Sequence, residues 1–154
     1  AYEIYQCDWS SDVCSSDLTD YSALAQAKNY GQGVFELRTY TTEPGRLEAL
    51  NARFRDHTLK LFEKHGMTNV SYWNLAADQK GAKSPLVAGN TLIYLLTHKS
   101  EDAAKASFDA FRADPVWVAA KEASEKKAGG SLTIAQPNGV KSEFLVPTDY
   151  SPVK

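Results

Sequence analysis

The sequence predicts an α+β domain: an antiparallel sheet with two helices on one of its faces. Three observations point to it. Residues 34–75 read as a complete strand, helix, strand unit, residues 91–146 repeat that order, and the apolar spacing switches between two and three-four at each junction. Strand, helix, strand, strand, helix, strand is the split βαβ, or ferredoxin-like, plan.

Val34 to Tyr40 alternates strictly, with Phe35, Leu37 and Thr39 on one side and Glu36, Arg38 and Tyr40 on the other, which marks a half-buried strand. Thr42-Glu43-Pro44-Gly45 carries the cap, early carboxylate and first-turn proline of a helix start. From there Leu47, Leu50, Phe54 and Leu61, with Thr58 and His65 in the same stripe, keep three-four spacing, so one unbroken helix is expected up to Gly66. Arg53 falls on the charged side of that helix with Arg55, Asp56, Lys60 and Glu63. Met67 to Leu75 resumes a strand pattern.

Ala76 to Asn90 has no period and reads as a loop. Thr91 to Thr97 is nearly continuously apolar, as expected of a strand at the centre of a sheet. Ser100-Glu101-Asp102 caps a second helix with Ala104, Phe108 and Phe111 on its buried stripe; Asp114 caps its continuation, which carries Trp117 and ends at Gly129-Gly130. Leu132 to Gln136, a turn at Pro137-Asn138-Gly139, and Val140 to Val146 form a final hairpin.

The composition is that of an ordinary globular chain, 154 residues with 43% apolar and 23% charged side chains. Ala1 to Leu18 lacks period and back-translates onto a sequencing-library adapter, so it is read as a non-native segment. Both cysteines, Cys7 and Cys14, fall inside it, and with them go the disulfide, zinc and thiol-nucleophile readings. Removing Glu3, Asp8, Asp12 and Asp17 from the 19 acidic residues leaves 15 against 17 basic, so neither nucleic acid nor an anionic membrane is implied as a partner. Residues 19–33 read as a linker or signal-peptide remnant with an Ala-x-Ala pattern at Ala25 to Ala27, which makes the chain cytoplasmic or exported after Ala27. The longest apolar run, Leu92 to Leu96, is far shorter than the roughly 20 residues of a membrane span. No metal spacing, phosphate loop or nucleophile elbow occurs, and no cofactor is expected.

Helices on one side leave the other face of the sheet open, and that face is expected to carry Arg38, Tyr40, Trp73 and Tyr94. An aromatic surface of that kind calls for a cover, so a homodimer packed sheet to sheet around a small cavity is expected. Glu36, Arg38 and Tyr40 would bind an anion or a phenol-like molecule there; the alternative is a buried Glu36–Arg38 pair that fixes the dimer. Of the three histidines, His57 sits in the first helix, His65 at its exit, where the helix end explains it, and His98 near the sheet edge, where it is expected to be solvated.

The blocks VFELRTYTTEPGRLEALNARFRDHTLKLFEKHGMTNVSYW, NTLIYLL, FRADPVW and FLVPTDYSP resemble the NIPSNAP family of small dimeric α+β barrel proteins, over about residues 34–152. Ala135 to Gly139 looks like an insertion against the family pattern. The resemblance implies a dimeric α+β barrel of undefined activity that binds a small hydrophobic or aromatic molecule or serves as an interaction module. Since the family has no agreed catalytic residues, it supplies none here, and Glu36, Arg38, Tyr40, His57, Trp73, Tyr94 and His98 stand as candidate pocket residues on chemistry alone. The alternative it suggests is a cofactor-independent oxygenase or haem-handling enzyme, with Arg38, Tyr40 and His57 around an aromatic substrate held by Trp73.

Overall fold

The computed structural model of the chain describes residues 33–77, 87–151 and 153. The adapter-like segment, the Ala-x-Ala pattern and most of the 76–90 loop lie outside the described residues. Four antiparallel strands, β1 (Val34–Thr41), β2 (Thr68–Asn74), β3 (Thr91–His98) and β4 (Val140–Leu145), form one sheet in the order β2-β3-β1-β4. The helices lie on one face of it, which is the expected ferredoxin-like arrangement.

The first helix departs from expectation at its start and its middle. Gly45 takes φ 76, a left-handed conformation that a helix cannot contain, so Glu43 to Arg46 closes as a turn with Arg46 N–H on the Glu43 carbonyl at 3.1 Å. Helix α1 therefore begins later, at Leu47, and Thr42 forms a bridge to Thr133 in place of a cap. After α1 (Leu47–Arg53) the ladder widens into a π-helical turn (Phe54–Thr58) before α2 (Leu59–Lys64). The Leu59 N–H reaches the Phe54 carbonyl, and the Thr58 hydroxyl donates to the Arg53 carbonyl at 3.2 Å. One inserted residue broadens the buried stripe, so Phe62 joins Leu61 in the core. Gly66, φ 77, ends the helix as expected.

Ser100 accepts from the Ala103 N–H at 3.1 Å and starts α3 (Glu101–Ala113). Asp114 accepts from Val116 N–H at 2.8 Å and starts α4 (Pro115–Ala128), with Pro115 in its first turn. Asp114 is buried and also holds Lys64 Nζ at 2.6 Å and His65 Nε2 at 2.8 Å. His65 thus ties the exit of α2 to the entry of α4, a role beyond end-charge capping. The expected hairpin strand at Leu132 to Gln136 is absent: that segment makes one bridge, Thr42 to Thr133, and inserts Leu132 into the core.

Lys64, then His65 and the Val116 N–H, hold the Asp114 carboxyl well below its ordinary range. A group with a lowered folded-state value adds stability above its unfolded value and loses it as pH falls. Denaturant midpoints should drop as the pH is lowered from about 5 to about 3, and Asp114→Asn should flatten part of that dependence. An unchanged acid limb in the variant would mean that these contacts contribute nothing.

The face assignment of the strands is the reverse of the expectation. Glu36, Arg38 and Tyr40 lie opposite Leu96, Tyr94 and Leu92 of β3, and this row packs under the helices, where Tyr40 meets Phe54 at 5.7 Å and Arg38 lies 4.2 Å from the Phe108 ring centroid. Phe35, Leu37 and Thr39 share the other face with Ile93, Leu95 and Thr97. Of the four side chains expected on the open face only Trp73 is there, paired with Ile93 and 50% exposed. Alternation fixes which residues share a side but not which side the helices cover. Here the helices cover the polar one, because its charges are paired and its stems and rings pack against aromatic side chains.

Candidate functional site

Three strands bring a polar cluster together beneath α3. Glu36 on β1, Ser142 on β4 and His98 at the end of β3 meet with Arg38 two residues along β1. Arg38 lies 2.5 Å from Glu36 Oε1, the Ser142 hydroxyl donates to the same oxygen, and His98 Nε2 lies 2.9 Å from Oε2. Burial pushes the Glu36 carboxyl up, but the His98 hydrogen bond, the Arg38 charge and the Ser142 hydroxyl outweigh it and hold the group below its usual range. An ionised carboxylate only accepts, so His98 carries its proton on Nε2, leaving Nδ1 buried without a hydrogen-bond partner among the described residues. His98 is therefore a buried carboxylate partner, contrary to the solvated edge position expected of it.

The Arg38 guanidinium is both paired and stacked. Its Nε is buried and has no partner among the described residues. Tyr94 is fully buried, stacked on Tyr72 with centroids 5.2 Å apart, and Tyr40 meets it edge-on at 5.4 Å. Burial first, then the neighbouring phenols, push Tyr72 and Tyr94 above their ordinary value. Both stay protonated near neutral pH and cannot serve as bases there.

A cleft of about 530 Å³ opens between this layer and helices α3 and α4. Arg38, Tyr40 and Val140 line it from the sheet, and Phe108, Phe111 and Trp117 from the helices. Trp117 stacks obliquely on Phe111 at 4.3 Å, which gives the helix wall an aromatic patch, while Arg112, Lys121, Glu122 and Glu125 also line that wall. The cleft can hold a planar apolar molecule between rings while Arg38 offers a cation on the sheet side. Gln136, in the segment read as an insertion, also lines it.

The other candidates lie elsewhere. His57, in the π-helical turn, is exposed and lines a groove between α1 and α4, while Trp73 borders a shallow hollow with Asn51, Arg55 and Tyr72. Neither residue lines the cleft, so Arg38, Tyr40, His57 and Trp73 are parted among three hollows and do not surround one substrate. Sequence reasoning missed Ser142 and Phe108 as members of the cluster. The alternation Val140, Ser142, Phe144 carried a signal for Ser142, since it matches the phase of Glu36 across β1. Among the described residues no group of three or more His, Cys, Asp or Glu is placed to hold a metal ion, and no helix is long and apolar enough to cross a membrane.

A family model for NIPSNAP matches residues 35–152, from the first core residue of β1 to beyond β4. The chain belongs to the NIPSNAP family. Solved structures agree on the fold. A NIPSNAP-like domain protein from Burkholderia xenovorans superposes with a TM-score of 0.60 at 13% identity, over 79% of this chain and 90% of its own. Two NIPSNAP family proteins from Agrobacterium tumefaciens are similar at TM-scores of 0.58 and 0.57, with 16% and 18% identity. The first alignment covers 78% of this chain and 97% of that protein, the second 80% and 96%. The second is described as having unknown function, and NIPSNAP membership leaves the activity of this chain undefined as well. No curated protein matches the sequence.

Proposed function

We propose that this NIPSNAP protein binds a small aromatic molecule in the cleft between β1, β4 and the last two helices. The observation that carries the reading is the partly buried Arg38 guanidinium against Phe108 and Tyr40, with Trp117 on the wall of the same cavity, which is large enough for such a ligand. Its side chain is already held by Glu36 and by the Phe108 ring, so a guest meets a cation whose ordering cost has been met. No reaction is assigned to the site.

A titration with 1-naphthol followed by tryptophan fluorescence tests this. A saturable change that disappears in Trp117→Phe and weakens in Arg38→Met is the expected result. A response unchanged in Trp117→Phe would place the molecule at Trp73 or elsewhere.

We also propose a homodimer through the open sheet face. Leu37, Ile93 and Leu95 there are half-buried, while Trp73 and Leu145 are about half exposed, which makes a contiguous apolar surface that an identical copy would cover. Lys141 and Glu143 on the same face of β4 offer opposite charges that a two-fold axis can pair. Sedimentation should give the mass of two chains at micromolar concentration and one chain for the Trp73→Glu, Leu95→Glu variant. A single-chain mass for the unaltered protein would rule the interface out.

A further inference from the structure

The polar groups of the aromatic cleft are unevenly matched. On its sheet wall stands the Arg38 guanidinium, which carries N–H donors and no acceptor. Glu36 takes its Nη1 at 2.5 Å, and its Nε is buried. That leaves Nη2 as the edge open to a guest, on a side chain of which 13% stays exposed. Tyr40, beside it, adds a hydroxyl, which donates as readily as it accepts. The one carboxylate nearby, Glu36, is turned to Arg38, His98 and Ser142 and does not line the cleft. A guest therefore meets a fixed donor and has to bring the acceptor.

The Glu36 contact also decides the charge of that acceptor. Arg38 already has a carboxylate against it, so a second anion would face Glu36 as well as the cation and would give up its hydration for an attraction largely cancelled. The rim offers no compensation. Arg112 and Lys121 stand there with Glu122 and Glu125, two charges of each sign, and Arg112 is held by Asp109 at 2.6 Å. A neutral acceptor carries neither penalty.

The rings set the rest of the guest. Phe108 holds the guanidinium 4.2 Å from its centroid, and Trp117 lies on Phe111 at 4.3 Å, so an acceptor joined directly to a flat ring can reach Arg38 while the ring rests on the aromatic patch. We infer that the guest is a neutral aromatic carbonyl compound, an aryl ketone or a quinone, whose oxygen accepts from Arg38; this class rests on the cleft being the aromatic site proposed for it.

Calorimetric titration of the full chain with 1-tetralone, tetralin and tetralin-1-carboxylate separates the class from the site, since the three share a ring system and differ at one carbon. The ketone should bind saturably, and the hydrocarbon and the carboxylate at least about tenfold more weakly, the factor that one hydrogen bond to a charged group supplies. In 1-tetralone labelled with carbon-13 at the carbonyl, that signal should move downfield on binding, which reads the hydrogen bond in the unaltered protein. The double variant Glu36→Met, Arg38→Met removes both charges together; it should bind ketone and hydrocarbon alike and leave the signal unmoved. Tetralin bound as tightly as 1-tetralone would overturn the carbonyl assignment and leave the aromatic site standing. A carboxylate bound more tightly than the ketone would make the guest an anion and overturn it as well. Binding of none of the three would remove the class and the site together.

Discussion

Replacing Glu36 with alanine should destabilise the protein by about 3–5 kcal/mol, the cost of breaking a buried ion pair from one side. The carboxylate accepts from Arg38, His98 and Ser142, and its own residue is 2% exposed. Without it Arg38 keeps its charge beneath α3 with no other counter-ion in contact among the described residues, and His98 loses its hydrogen-bonded partner on Nε2. A total stability of about 5–15 kcal/mol makes this a large fraction, visible as a fall in Tm on the order of 10 °C. The double variant Glu36→Met, Arg38→Met should recover part of the loss, because it removes both buried charges together. Chemical denaturation of the two variants checks the pair: a double variant worse than the single one would mean that the ion pair itself, not the stranded cation, dominates.

Phe62→Ala should cost about 3–5 kcal/mol, as expected for an aromatic side chain truncated in a packed core. Phe62 is 1% exposed and touches Phe54, Tyr94, Phe108 and Phe111 at centroid distances of 6.1, 6.0, 5.8 and 4.9 Å. It therefore joins the π-helical turn, the central strand and α3 in one aromatic cluster, so the cavity left behind has walls on three elements and little freedom to collapse. Phe62→Leu should cost clearly less. Equal losses for leucine and alanine would show that ring contacts, not volume, set the stability of this core.

Much of the fold was legible because its signals are local. Ser100 and Asp114 were caps in the sequence and are caps in the structure, Gly66 stops α2, and the alternation of β1 and the apolar run of β3 fall within the strands they implied. What misled was the sense of burial. Phe35 and Leu37 were the greasy side of β1, yet the helices cover Glu36, Arg38 and Tyr40, since a charged side chain is buried readily once its partners are buried with it; Arg38 stands two residues from Glu36, but the other partners, His98 and Ser142, stand 62 and 106 residues away. The π-helical turn was likewise invisible: one extra residue in a helix leaves the three-four spacing intact on each side and changes only their relative rotation, which is why Phe62 was missing from the expected buried stripe. The candidate pocket was half legible. Arg38 and Tyr40 do line a cleft, but on the side of the sheet opposite to that expected, and His57 and Trp73 do not share it.

Everything proposed for the cleft depends on Arg38 and Tyr40 lying beneath the helices while Leu37 faces away from them. Proton NMR cross-relaxation on the labelled protein measures this directly. Contacts from the Tyr40 ring to Phe54 and from the Arg38 side chain to Phe108 are predicted, with none from the Leu37 methyls to any helix. Leu37 contacts to Phe108 or Phe111 would contradict the account.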